Sequence, residues 1–213
     1  MTDLTIRIPG GDNLVTRGFF GLKRPQPPRH VPPGQHWEQG FPVLTAGVTP
    51  QIDLKDWRFS ISRDDRDLAT WTWDQMKALP QQEIGVDIHC VTKWSMLDSE
   101  WRGVSVDTFF EAAGIDPPED YVMAYCYGGY TTNLPMDDIR GGKGFVAWEF
   151  NGDPLEAKHG GPARLLVPHL YFWKSAKWVR GLRLMDDDAP GFWEQAGYHM
   201  RGDPWKEERY WGD

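Results

Sequence analysis

The sequence predicts an α+β fold of mixed β-sheets with a few short helices, on three observations. Seventeen Pro in 213 residues, with few long amphipathic runs, favour short strands, turns and extended loops over a helical bundle. Several segments alternate apolar and polar residues with period two, as in Trp57-Arg58-Phe59-Ser60-Ile61. Two segments carry helix signatures, and both are short.

Residues 1–36 are Gly/Pro-rich and basic in patches (Arg17, Lys23, Arg24, Arg29), and read as an extended, polyproline-like arm. Phe19, Phe20, Leu22 and Trp37 favour wrapping of this arm onto the domain. Phe41–Leu44 is a strand candidate within a loop region, and Trp57–Ile61 is a half-buried strand. Thr72-Trp73-Asp74-Gln75 is a capping box that opens a helix, and Pro80 closes it. Ile84, Val86 and Ile88 alternate up to Cys90 and make a strand, after which Val91–Met96 reads as loop. Ser105 caps the second helix. Val106, Phe109, Phe110 and Ala113 form its apolar stripe, and Gly114 ends it.

Tyr121–Tyr125 follows as a strand, and Asp137–Ile139 gives one turn at most. Phe145–Phe150 is a strand that reverses at Asn151-Gly152, a strong hairpin signal. Leu165–Val167 and Trp178–Leu184 are the last strands. From residue 186 the tail carries Phe192, Trp193, Tyr198, Trp205, Tyr210 and Trp211 with neither period. The chain therefore divides into an arm (1–36), a principal domain (37–185) and an aromatic extension (186–213) packed on it.

A net charge of −8 argues against a general nucleic-acid surface. The two Cys make no disulfide framework, C-x-x-C and H-E-x-x-H are absent, and free thiols suit a reducing compartment. The first residues lack a basic and apolar leader pattern. No apolar run approaches the ~18 residues that cross a bilayer. The expectation is a cytoplasmic protein without membrane insertion.

Four stretches carry chemistry. Cys90 sits at the mouth of a strand, where a nearby ammonium such as Lys93 would favour the thiolate that ligates metals; a buried structural thiol is the commoner case. Cys126 has no charged neighbour and reads as structural or cofactor-lining. In His159-Gly160-Gly161-Pro162-Ala163-Arg164 a tight turn exposes backbone N–H groups between a His and an Arg, which suits an anion. Lys174-Ser175-Ala176-Lys177 suits a phosphate. In isolation the His159–Arg164 turn gives only a weak anion signal against a surface turn leading into a strand, and Lys174–Lys177 reads as a solvated charge run.

Together and in this order they resemble the molybdopterin-binding domain of the sulfite oxidase superfamily. The resemblance is strongest to small sulfite-oxidase-like oxidoreductases related to the catalytic subunit of periplasmic methionine sulfoxide reductase. It is carried by Cys90-Val91-x-x-Trp94-Ser95-Met96, Trp101-Arg102-Gly103-Val104 and Gly129-Tyr130-Thr131-Thr132-Asn133-Leu134-Pro135. Gly152-Asp153-Pro154-Leu155, the stretch His159–Pro168 and Lys174-Ser175-Ala176-Lys177-Trp178 complete it. The resemblance implies a sulfite-oxidase-type fold over 37–185 and a molybdenum–molybdopterin cofactor in its mononucleotide-free form. It implies Cys90 as the metal's protein ligand. His159 and Arg164 then contact the pterin or its phosphate, Ser175, Ala176 and Lys177 hold the phosphate, and Cys126 lies close to the pterin. Gln39, Gly40, Phe41 and Pro42 fall where the family wraps an N-terminal loop over the pterin.

The implied activity is two-electron oxygen-atom transfer on a small molecule. Thr92-Lys93-Trp94 stands where sulfite oxidases carry two adjacent arginines, so Lys93, Trp94 and Arg102 are the candidates for the substrate pocket. The absence of a C-x-x-C-H haem motif implies a separate electron-transfer partner, and the absence of the family's dimerisation domain implies a monomer. Two alternatives remain at this point: a thiol-dependent catalyst using Cys90, and a non-catalytic protein that keeps the fold. Adjacent strand residues point to opposite faces, so His89 is poorly placed as a base for Cys90.

Overall fold

The computed structural model describes residues 26–64 and 66–213. Most of the arm expected over 1–36, including Arg17, Phe19, Phe20, Leu22, Lys23 and Arg24, lies outside the described residues. The described chain builds two sheets. The first contains β1 (His36–Trp37), β4 (Gln82–His89), β5 (Trp94–Ser105), β8 (Phe145–Phe150), β9 (Asp153–Pro154) and β10 (Arg164–Leu166). The second runs β3 (Arg66–Thr72), β2 (Arg58–Arg63), β11 (Val179–Met185), β6 (Tyr121–Cys126) and β7 (Thr131–Pro135) in spatial order. Two short helices connect them, α1 (Trp73–Lys77) and α2 (Val106–Ala113), and a third, α3 (Phe192–Gln195), follows the last strand.

The local signals act as their chemistry requires. The Gln75 amide donates to Thr72 Oγ1 at 3.2 Å, and the Thr72 amide donates to Gln75 Oε1 at 2.8 Å. Gly114 ends α2 in the left-handed region at φ 64°, which its missing Cβ makes cheap. Asn151 and Gly152 (φ 49° and 85°) reverse β8 into β9, as the hairpin signal predicts. Phe109 and Phe110 pack inward with Trp57, Phe59 and Ile61 into the core between the sheets. Each such side chain contributes roughly 1.5–3 kcal/mol by leaving water.

Two expectations are corrected. Phe41–Leu44 is not a strand: it is extended loop without a ladder partner, and the Leu44 carbonyl accepts from Lys177 Nζ instead. The stretch after Cys90 is a loop only as far as Lys93. Trp94 then begins the longest strand described here, twelve residues. A tight turn makes this reversal: the Lys93 amide donates to the Cys90 carbonyl at 3.0 Å and the Cys90 amide to the Trp94 carbonyl at 2.8 Å. Lys93 takes a positive φ of 73° to close it. Register then pairs Ile88 with Met96 and His89 with Ser95.

Strands β3 and β7 carried too little apolar alternation to be read from sequence; of the residues of β3, only Trp71 is buried. Further along β5 the ladder shifts at Arg102/Gly103, where a Cβ on Gly103 would meet the Val146 carbonyl oxygen at 2.5 Å. Glycine in the Trp101–Val104 motif is therefore a condition of close pairing between β5 and β8.

Candidate cofactor site

A cavity of about 410 Å³ opens where the ends of β4 and β10, the loop before β11, and the segment 41–48 converge. Its floor holds the Cys90 thiol. The residue is buried, and its sulfur accepts a hydrogen bond from Thr92 Oγ1 at 3.1 Å. Burial pushes this thiol up, opposed by Thr92 and by the charge of Arg209. Thiol catalysis is poorly served here. The His89 ring points away to Ser95 Oγ (2.8 Å), and burial holds it at about 4, so it cannot act as a base for Cys90.

The lining also carries cations. Arg164, at the start of β10, is 1% exposed and forms no ion pair among the described residues. Its guanidinium donates to the carbonyls of His159 (2.8 Å) and Ser175, and lies 3.9 Å over the Phe172 ring. Burial lowers it to about 9. Lys177 lines the same cavity, lowered to about 8 by burial and by Arg164. No Asp or Glu lines the cavity. In a chain of net charge −8 this local reversal of sign marks a place for an anion.

The backbone is arranged to match. The amides of Ala176 and Lys177 donate to no protein acceptor among the described residues. Ser175 Oγ accepts from the Val167 amide at 2.8 Å and so fixes the loop's entry. Gly160 sits against it, where an added Cβ would meet the Lys177 Cα at 3.0 Å. The glycine turn and the lysine loop were separate signals in the sequence; here they form one wall.

Of the other sequence-predicted residues, Phe41, Pro42 and Trp94 line the cavity. His159 lies one layer behind Phe41, whose ring stacks on it at 3.9 Å, and its buried Nδ1 has no partner among the described residues. Three assignments are corrected. Cys126 belongs to the main core, not the cavity lining, and burial raises its thiol far above the ordinary range. Arg102 points outward from β5 and pairs with Glu83 (3.0 Å) and Glu149 (3.3 Å). Lys93 is exposed and outside the lining, because its left-handed backbone spends it on the turn.

Sequence reasoning missed the tail's part. Phe192, Trp193 and Tyr198 line the cavity together with the loop 44–48. Glu194 is buried and pairs with Lys174 Nζ at 2.6 Å, while Trp173 Nε1 and Thr132 Oγ1 donate to the same carboxylate oxygen. Lys174 thus braces the lysine loop from behind and does not face the cavity. The aromatic density of the tail was the available signal; without a period it could not say which faces were covered.

Fold and site together define a cavity suited to an anionic organic group, lined by a buried thiol and by cations with no carboxylate among them. Residues 46–193 match the family model described as oxidoreductase molybdopterin binding domain, and the chain belongs to that family. It is 42% identical over 197 residues to the oxidoreductase YuiH of Bacillus subtilis (strain 168), covering 92% of this chain and all of that one. It is 24% identical over 146 residues to the protein-methionine-sulfoxide reductase catalytic subunit MsrP of Gluconobacter oxydans (strain 621H). That match covers 58% of this chain and only 46% of the relative. The sulfane dehydrogenase SoxCD from Paracoccus pantotrophus shares the fold, with a TM-score of 0.57 and 21% identity over 65% of this chain and 40% of that one. The protein is thus an oxidoreductase with a molybdenum–molybdopterin cofactor, as the resemblance implied. No helix among the described residues is long and apolar enough to cross a membrane.

Proposed function

We propose that this oxidoreductase performs two-electron oxygen-atom transfer on a small molecule, with the Cys90 thiolate as the protein's ligand to molybdenum. The observation that carries the reading is the pairing of a cavity-facing thiol with a cationic wall that has no counter-charge. When bound, the cofactor supplies a redox metal able to exchange an oxo group and two electrons. A thiolate is a soft ligand suited to such a metal. Loss of the Cys90 proton on ligation leaves Thr92 Oγ1 to donate to the sulfur.

At the other end Arg164, Lys177 and the free amides of Ala176 and Lys177 hold the phosphate. Phe41, Phe172 and Trp173 exclude water along the ring between them. The wall near Thr92 and Trp94 faces the substrate, and two electrons pass to or from a separate carrier.

The test is a panel of sulfite, sulfoxides, N-oxides and nitrate with a redox dye, on protein carrying stoichiometric molybdenum. One oxygen atom gained or lost per two electrons, read by mass spectrometry of the product, is the expected result. Turnover by molybdenum-loaded protein without any change in substrate oxygen content overturns the reaction type.

A pH dependence follows from Lys177. Held at about 8, it loses its charge through that pH, and an anion that binds beside it favours the charged form. Uptake of the pterin phosphate by cofactor-free protein should weaken as pH rises past 8, by up to about tenfold per pH unit. Lys177→Met should flatten that slope between pH 7 and 8.5, as titration calorimetry would show.

A further inference from the structure

The loop that carries Cys90 is held by both ends of the described chain. From the N-terminal side, Gln35 Nε2 donates to the Cys90 carbonyl at 3.1 Å and the His36 amide to the Lys93 carbonyl at 2.9 Å. From the C-terminal side comes Arg209, 118 residues beyond Val91 in sequence. Its Nη1 donates to the Val91 carbonyl at 3.0 Å, and its Nη2 to the Pro33 carbonyl at 3.2 Å. The guanidinium lies 4.9 Å over the Tyr171 ring, and the residue is 7% exposed. The carboxylate paired with its guanidinium, Glu207, stands at 3.6 Å and is half exposed. Two nitrogens held in one planar fork reach carbonyls on two chain segments, a fixed spacing that the single nitrogen of a lysine does not reproduce.

Arg209 also lies beyond residues 46–193, the part of the chain that matches the family model. We propose that Arg209 is a positioning residue for the metal ligand: it locks the Val91 carbonyl to the Pro33 segment and so sets where the Cys90 side chain projects into the cavity. The proposal rests on the reading of Cys90 as the molybdenum ligand. It makes the tail part of the metal site without contact to the cofactor. A side chain one peptide removed from a ligand acts on the metal through orientation, as outer-shell partners do.

The test compares holoprotein of wild type, Arg209→Lys, Arg209→Met and Cys90→Ser, each by molybdenum content, thermal midpoint and the molybdenum EPR spectrum. Arg209→Lys should fold and take up molybdenum but give an altered spectrum, broadened or split into more than one species, because charge is kept and the fork is lost. Arg209→Met should show the same change with a several-fold lower molybdenum content. If Arg209→Met does not fold, Arg209→Lys decides alone. A wild-type spectrum in Arg209→Lys overturns the clamp, whatever happens to the thermal midpoint. A wild-type spectrum in Cys90→Ser overturns the ligand assignment itself, and the inference falls with it. An altered Cys90→Ser beside an unaltered Arg209→Lys overturns the clamp alone.

Discussion

Cys90→Ser abolishes turnover while leaving a folded, cofactor-loaded protein: this is the largest single effect the site predicts. Serine is nearly the same size and sits in the same turn, whose backbone bonds to Trp94 and Lys93 do not involve the side chain. Thr92 Oγ1 can donate to a hydroxyl as it does to the sulfur. Stability should therefore change by less than about 1 kcal/mol, as for substitutions that create neither cavity nor buried charge. On the proposed reading Arg164, Lys177 and the free amides of Ala176 and Lys177 hold the phosphate; the substitution leaves them untouched, and they should still retain the pterin. The metal's coordination, by contrast, changes from soft sulfur to hard oxygen. Removal of an outer-shell partner typically costs about 10–100-fold, and loss of the ligand should exceed that range. Steady-state rates with a dye carrier, beside molybdenum analysis of the same sample, check both halves. A serine variant that turns over like wild type would sink the assignment.

Arg164→Met separates function from stability in a different way. Burial holds the arginine at about 9 against its ordinary 12.5, so the fold bears on the order of 5 kcal/mol for keeping that charge dry. The substitution removes this penalty. It also orphans the His159 and Ser175 carbonyls, at about 1–3 kcal/mol each. The two effects nearly cancel, and the apoprotein should melt close to wild type. Cofactor uptake should not survive so well. Loss of a charged donor to a phosphate is worth about 1.5–3 kcal/mol, so the pterin phosphate should bind about ten- to a hundredfold more weakly. Equilibrium binding of the isolated cofactor, set beside a denaturant melt, reads the two effects independently. Unchanged affinity would remove Arg164 from the anion site.

The expectations that held were local ones. The capping box at Thr72, the left-handed end at Gly114 and the Asn151-Gly152 reversal each depend on a few neighbouring residues, and each formed. The motif stretches were legible too, because Cys90, Arg164 and Ser175–Lys177 meet at one cavity. The errors arose where a residue's duty was set by a distant partner. Lys93 was read as a charge beside the thiol, yet its backbone closes a turn and its ammonium faces outward. Arg102 was offered to the substrate, yet Glu83 and Glu149 across the ladder hold it on the surface. Cys126 was placed near the pterin, yet sheet packing closes over it. The strand Trp94–Ser105 was missed because its first residues had been read as loop and its last as motif.

By itself the sequence determined the strand-rich class, both helix starts, the class of cofactor and a thiol that lines the cavity. The class and the helix starts follow from periodicity and turn chemistry among near neighbours, whereas the cofactor's class and the part of the thiol came from the order of the motifs, as a family resemblance. Only the tertiary structure decided which cations face the cavity, and that Glu194 braces the lysine loop through Lys174. Only there does Arg209, far along the chain, come to grip the turn beside Cys90. The physical reason is that a charge or a carbonyl is put to use by whatever the fold brings within hydrogen-bonding distance. In this protein the groups that finish the site come from a tail with no sequence period to announce them.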